Sequence, residues 1–313
     1  MSLVSVEGLQ KSYGDVHAVQ GISFAVTEGE IFGLVGPNGA GKTTTLEIME
    51  GLKAADSGTV TIAGVDVLRH PEKVKQLIGV QLQATAMFEK LTVAETLDLF
   101  RSFYDKSLPT ADLLGFVSLE EKAGALTAEL SGGQRQRLSI AMALVNDPTV
   151  VFLDEPTTGL DPQARRNLWD VVLSLRQRGK TIILTTHYME EAERLCDRVA
   201  IVDGGKVIAL DTVRGLIDGL GRQRAIEFQT RASATEEEYA AITGVERVIL
   251  QRGAEEGEGA ARQVILYCGD LQHSLSSLME ARAAKGWDVS GLQVRDATLE
   301  DVFLELTGRL LRE

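Results

Sequence analysis

Cysteine is nearly absent from this sequence: Cys196 and Cys268 stand alone, with no CxxC spacing and no cysteine–histidine cluster. That excludes a disulfide scaffold and a structural zinc site, and it fits two thiols in a reducing compartment. Proline (6 residues) and aromatics (5%) are sparse too, but hydrophobic residues reach 44% and charged residues 25%, so a packed globular core is expected. Basic excess is missing. The formal charge is −13 with no basic tail or arm; such a surface repels phosphodiester backbones, so no nucleic acid partner is expected. No apolar run approaches the ~20 residues of a membrane-spanning helix. The opening MSLVSVEGLQ shows no basic segment followed by an apolar stretch, so a cytoplasmic location without a secretory leader is expected. Membrane contact would then run through another protein.

What is present begins with length: 313 residues suit two domains. Over 1–220, apolar runs such as IFGLVG (31–36), TVTIAG (59–64), VVFLDEP (150–156), TIILTTH (181–187) and RVAIVDGG (198–205) alternate with helical segments. Strands covered on both faces read this way, so several belong to a central, mostly parallel sheet of an α/β domain. VSVEGL and AVQGISFAV alternate better and predict an antiparallel sheet beside it. After a short helix around 213–220 and a linker near Gly219–Arg224, residues 221–313 read as strand, helix, strand, strand, helix, strand and a final helix. That βαββαβ order predicts a small ferredoxin-like α+β domain. Its middle strands are joined by GAEEGEGA (253–260), read as a solvated tip.

The first chemical motif is GPNGAGKTT: Gly36, Pro37, Asn38, Gly39, Ala40, Gly41, Lys42, Thr43 and Thr44. It follows an apolar strand and opens a helix, the context a phosphate-binding loop requires. The glycines let the backbone curl so that N–H groups point at a β-phosphate, Lys42 reaches the β- and γ-phosphates, and Thr43 offers a hydroxyl to Mg²⁺. A nucleoside triphosphate with Mg²⁺ is expected here. The second motif ends a buried strand. In VVFLDEP, Asp154 is placed to hold Mg²⁺ through its water shell, and Glu155 is the natural general base for an attacking water.

LSGGQRQR (130–137) then makes the chain resemble the ATPases of the ABC family. The resemblance implies that the nucleoside triphosphate is ATP, held by a P-loop cassette with a mixed sheet, an antiparallel β subdomain and a helical subdomain. It also implies a homodimer, head to tail, in which Ser131, Gly132, Gly133 and Gln134 of one copy face the γ-phosphate held by the other. Further positions match in order. Tyr13 resembles the adenine-stacking aromatic, and Asp161 the aspartate that signals between sites, although a helix N-cap before Pro162 is an equal use for it. His187 resembles the switch histidine at the γ-phosphate. Gln83 resembles the glutamine that senses magnesium and the lytic water while its loop touches a membrane partner. The family usually has proline just before that glutamine; here Leu82 stands there and Gln81 competes for the role.

ATLEDVFLELTG (297–308) is an amphipathic helix with Leu299, Val302, Phe303 and Leu306 on one face. It resembles the tail of ABC-2-type exporters, of the drug and antibiotic self-resistance kind. Together these positions imply an ATPase subunit on the inner face of the cell membrane, driving export through an integral-membrane permease. A P-loop kinase or GTPase does not account for LSGGQ. Soluble ABC proteins of ribosomes or DNA usually carry paired cassettes or long insertions, and an importer ATPase is opposed only by the tail.

Overall fold

The computed structural model describes residues 2–83, 86–220, 224–252 and 261–308. The glycine–glutamate run at 253–260 and the middle of the expected linker, 221–223, lie outside the described residues. The chain divides into two compact units, Met1–Val213 with Phe303–Glu313, and Arg214–Val302.

The first unit opens with a hairpin, β1 (Ser2–Tyr13) and β2 (Val16–Thr27), followed by β3 (Ile31–Val35) and α1 (Lys42–Met49). Then come β4 (Ser57–Ile62), β5 (Val65–Asp66), the one-turn α2 (Pro71–Val74) and β6 (Ile78–Gln81). Three helices intervene before the next strand: α3 (Val93–Arg101), α4 (Thr110–Phe116) and α5 (Gly132–Ala143). They form the expected helical part. The chain continues through β7 (Val150–Asp154), α6 (Pro162–Gln177), β8 (Thr181–Thr186), α7 (Met189–Leu195), β9 (Arg198–Asp203) and β10 (Lys206–Thr212), and α8 (Val213–Asp218) follows.

These strands make the two expected sheets. One has the order β10-β9-β3-β8-β7-β6 and is parallel from β9 to β6, with β10 as an antiparallel edge. Every residue of β3, β7 and β8 is buried, which explains why no charged side chain occurs in them before Asp154, where β7 ends. Each fully buried side chain such as Leu34 or Phe152 contributes about 2 kcal/mol by leaving water. The other sheet, β2-β1-β4-β5, is antiparallel. TVTIAG belongs here and not in the central sheet, because Val60 and Ile62 are buried and alternate with less buried Thr59 and Thr61. Phe24 of β2 stacks on Phe32 of β3, with centroids 5.0 Å apart.

The second unit contains β11 (Arg224–Thr230), α9 (Glu236–Ala240), β12 (Val245–Arg252), β13 (Arg262–Cys268), α10 (Leu271–Lys285) and β14 (Ser290–Asp296). The order β12-β13-β11-β14, antiparallel at every pairing, is the ferredoxin-like arrangement. β14 starts at Ser290 and leaves Trp287 outside the ladder. Trp287 is instead buried against Tyr239, with ring centroids at 4.6 Å, and Asp288 accepts from the Arg231 N–H at 3.0 Å. Both contacts hold the segment off the ladder. In α11 (Leu299–Thr307), Leu299, Val302 and Phe303 are buried, while Leu306 on the same face is exposed. No helix among the described residues is long and apolar enough to cross a membrane.

Candidate active site

β3 delivers the chain to a glycine-rich loop, and α1 begins at Lys42. Gly41 caps that helix at φ +98°, and a Cβ there would lie 2.2 Å from the Ala18 carbonyl oxygen, so both conformation and space require glycine. The turn is closed by Ala40 N–H donating to the Pro37 carbonyl at 3.2 Å. Lys42 is buried; its Nζ donates to the carbonyls of Gly36 (2.8 Å) and Pro37 (3.0 Å) and lies 3.6 Å from Glu155 Oε1. Burial pushes the Lys42 ammonium down, and the carboxylates of Glu155 and Asp154 oppose it. The cation is therefore held under the loop by carbonyls that a phosphate can replace.

At the end of β7, Asp154 accepts from the Thr185 hydroxyl and, at 3.3 Å, from Thr43 Oγ1. Burial pushes the Asp154 carboxyl up and the Thr185 bond holds it down. Glu155 has φ +45°, a left-handed conformation that costs a non-glycine residue about 1 kcal/mol or more. Two bonds from its N–H hold it there, to Thr185 O at 3.2 Å and Thr185 Oγ1 at 3.0 Å. The turn aims the carboxylate into a cleft. There Oε2 accepts from Gln83 Nε2 and Thr158 Oγ1, both at 3.2 Å. Oε1 lies 3.2 Å from His187 Nδ1, without the alignment of a hydrogen bond.

The cleft has a volume of about 630 Å³ and is lined by Asn38, Gly39 and Gly41 of the loop and Lys42, Thr43 and Thr44 of α1, with Tyr13, Gln83, Glu155 and His187 around them. Tyr13 ends β1, is 44% exposed, and has Lys11 and Lys53 each 5.5 Å from its ring centroid. Gln81 does not reach the cleft. It is buried at the end of β6, and its Nε2 donates to the Leu82 carbonyl at 2.6 Å.

The LSGGQ residues lie elsewhere in the unit. Ser131 is the N-cap of α5, accepting the Gln134 N–H at 3.3 Å while Gln134 Oε1 accepts the Ser131 N–H at 2.9 Å. That reciprocal cap is why the helix starts at Gly132. A Cβ on Gly133 would sit 2.9 Å from the Ala164 Cβ of α6, so glycine permits that close packing. Ser131 and Gly132 face solvent, and none of Ser131, Gly132, Gly133 or Gln134 lines the cleft. Asp161 caps α6, its Oδ1 accepting the N–H groups of Gln163 (3.0 Å) and Ala164 (2.9 Å).

Residues 19–158 match the family model described as ABC transporter. Over 99% of the chain, the sequence is 40% identical to 95% of a Nod factor export ATP-binding protein I from Ralstonia nicotianae. It is 42% identical to the protein of that name from Paraburkholderia xenovorans, covering 99% of this chain and 98% of that one. This chain belongs to the ABC transporter family. Solved structures agree. An ATP-binding subunit of an ABC transporter matches with a TM-score of 0.62 and 31% identity, over 70% of this chain and 94% of that one. A dimeric ATP-binding cassette in a post-hydrolysis state, bound to ADP and Pi, matches with a TM-score of 0.61 and 28% identity, over 68% and 99%. The chain is thus a nucleotide-binding ABC ATPase.

Several polar residues around this ABC site were not singled out by motif. Thr185 and Thr158 hold the two acids, yet both read as ordinary strand or turn threonines. Glu50, at the C-terminal end of α1, is buried, and neither carboxylate oxygen has a hydrogen-bond partner among the described residues. Burial, with Asp154 and Glu47 adding, pushes its carboxyl up to about 8. Glu191 on α7 is fully buried.

Proposed function

We propose that this ABC ATPase is the energy-coupling subunit of an exporter, working as a head-to-tail homodimer that binds two ATP with Mg²⁺ and drives a separate integral-membrane permease. The working cassette is 1–220, and 221–313 is an accessory domain. The observation that carries the reading is the convergence of Lys42, Gln83 and His187 on Glu155 in one cleft, while the LSGGQ cap faces solvent away from it. Such a cleft lacks its γ-phosphate lid, and a second copy's Ser131, Gly132, Gly133 and Gln134 supply one, with Asp161 beside the shared boundary. The dimeric cassette among the solved relatives supports the pairing.

In this reading the loop from Gly36 to Thr44 wraps the phosphates, and Lys42 exchanges its carbonyl partners for phosphate oxygens. Tyr13 stacks on adenine at the mouth of the cleft. Thr43 and Asp154 offer hard oxygen donors 3.3 Å apart, a pair that would suit Mg²⁺, with phosphate and water supplying the remaining oxygens it would need. The metal, when bound, would neutralise charge on the phosphates. Glu155 accepts the proton of the lytic water; Gln83 and His187 orient that carboxylate and contact the water and γ-phosphate.

Export is supported by the full-length relatives named as export ATP-binding proteins. A membrane partner is supported by an apolar cleft of about 470 Å³ beside the Gln83 loop, lined by Leu52, Leu82, Phe100 and Tyr104 among others. A place on the cytoplasmic face of the membrane follows from such a partner. The test is Glu155→Gln: ATP binding is retained, turnover is lost, and an ATP-dependent dimer appears on size exclusion. Normal turnover by that variant contradicts the proposal.

A further inference from the structure

α7 reads MEEAERL, a charged stretch in which Glu190 is exposed but Glu191 is completely buried. Glu191 Oε1 accepts from Trp169 Nε1 of α6 at 3.2 Å. Its Oε2 is buried without a hydrogen-bond partner, and so is Thr157 Oγ1. Burial pushes the Glu191 carboxyl up, opposed by the hydroxyls of Thr186 and Thr157, by Trp169 and last by Arg165. The Arg165 guanidinium lies over the Tyr188 ring at 4.6 Å. A hydrogen bond between Glu191 Oε2 and Thr157 Oγ1 would satisfy both of these buried orphan groups at once.

The two threonines belong to the two turns that face each other across the active site. Thr157 lies two residues after Glu155 in a turn closed by the Thr158 N–H on the Glu155 carbonyl at 3.2 Å. Thr186 immediately precedes His187. Its hydroxyl accepts the Tyr188 N–H at 2.9 Å, and its carbonyl accepts the Gly36 N–H at 3.3 Å. No motif-based role accounts for Glu191, yet its side chain sits where the Glu155 turn, the His187 turn and α6 meet.

We propose that Glu191 is a positioning residue for hydrolysis: through Thr157 and Thr186 it clamps the turn carrying Glu155 to the turn carrying His187, with Trp169 anchoring the clamp to α6. It touches neither nucleotide nor water. Its effect is on the 3.2 Å approach of His187 to Glu155, and misplacement of that order costs turnover more than ATP affinity.

The test is steady-state ATP hydrolysis by full-length variants, and it rests on the reading that Glu155 and His187 act together. Glu191→Ala lowers kcat by about tenfold or more with KM for ATP within about threefold. Glu191→Gln, which keeps the side chain's shape with a carbonyl acceptor and an NH2 donor group, recovers kcat to within about threefold of the parent. Adding Glu191→Ala to His187→Ala costs less than about threefold further, because the clamp acts through His187. Full kcat in Glu191→Ala, an equal loss in Glu191→Gln, or full additivity in the double variant overturns the inference. Should Glu191→Ala fail to fold, Thr157→Val decides: kcat falls by about threefold or more at unchanged KM, and unchanged kcat overturns the clamp. Full activity in His187→Ala defeats the underlying pair; an inactive His187→Ala beside a fully active Glu191→Ala defeats the clamp alone.

Discussion

Gln83 Nε2 donates to Glu155 Oε2 at 3.2 Å, joining the loop after β6 to the carboxylate that ends β7. Gln81, two residues earlier, points the other way into the interior. Gln83→Ala should therefore lower kcat by roughly 10–100-fold, the cost of losing one positioned polar contact in the transition state. Gln81→Leu removes a buried orphan acceptor and should keep kcat within about threefold. Steady-state ATPase assays of both variants check the pair; equal losses would place Gln81 in the site as well.

Lys42 is held by two carbonyls and by Glu155 before any phosphate arrives. Lys42→Ala should weaken ATP binding by about 10–100-fold, the range of a charge-assisted hydrogen bond lost. It also removes the ammonium that lies 3.6 Å from Glu155 Oε1. Equilibrium titration with a fluorescent ATP analogue measures the loss, and unchanged affinity would remove Lys42 as a phosphate ligand.

Glu50 predicts a pH dependence. Its folded carboxyl keeps its proton up to about 8, against 4.5 for the ordinary value. The folded state thus binds a proton that the unfolded chain releases, so stability falls as pH rises from about 4.5 to about 8 and is level above that. Glu50→Gln does not titrate. In nucleotide-free protein its Tm advantage over the parent should be small near pH 5 and grow until about pH 8. A gap that does not change with pH would mean that Glu50 is ionised throughout.

In the second unit, Asp301 accepts from Tyr267 Oη (2.5 Å), Arg295 Nη1 (2.6 Å) and Nη2 (3.0 Å), and the Thr298 N–H (2.7 Å). Asp301→Ala leaves the guanidinium and the phenol without that acceptor and should destabilise this unit by about 3 kcal/mol or more. Burial pushes the Asp301 carboxyl up, but Arg295, Tyr267 and Thr298 together hold it below the usual 3.8. Its contribution is thus present above that pH and lost as pH falls below it. Urea unfolding of parent and variant at neutral and acid pH measures both effects; a loss under about 1 kcal/mol contradicts this role.

Much of this was legible in the sequence, and the exceptions have physical causes. The strands IFGLV and VVFL, up to Asp154, carry no polar side chain because both sheet faces are covered. The ferredoxin-like order could be read because its strand and helix runs are bounded by turn glycines such as Gly244, Gly269 and Gly286. TVTI misleads because threonine is apolar enough to blur an alternating strand into a continuous one. Gln81 and Gln83 differ by two residues, and only the end of β6 between them separates an interior side chain from a cleft one. Glu50 and Glu191 were invisible for a simpler reason: a carboxylate in a charged or mixed helix reads as solvent-exposed, and only packing reveals that it is buried.

The central claim is that each ATP site is completed by the LSGGQ cap of a second copy. Mixing Lys42→Ala chains with Ser131→Arg chains tests it most directly, each variant being inactive alone. A mixed dimer holds one site with both halves intact and one with both halves damaged. With free exchange of subunits, ATPase activity should recover to about a quarter of the parent's, since about half the dimers are mixed and each has one working site. No recovery, in a mixture shown to contain heterodimers, would contradict the shared site.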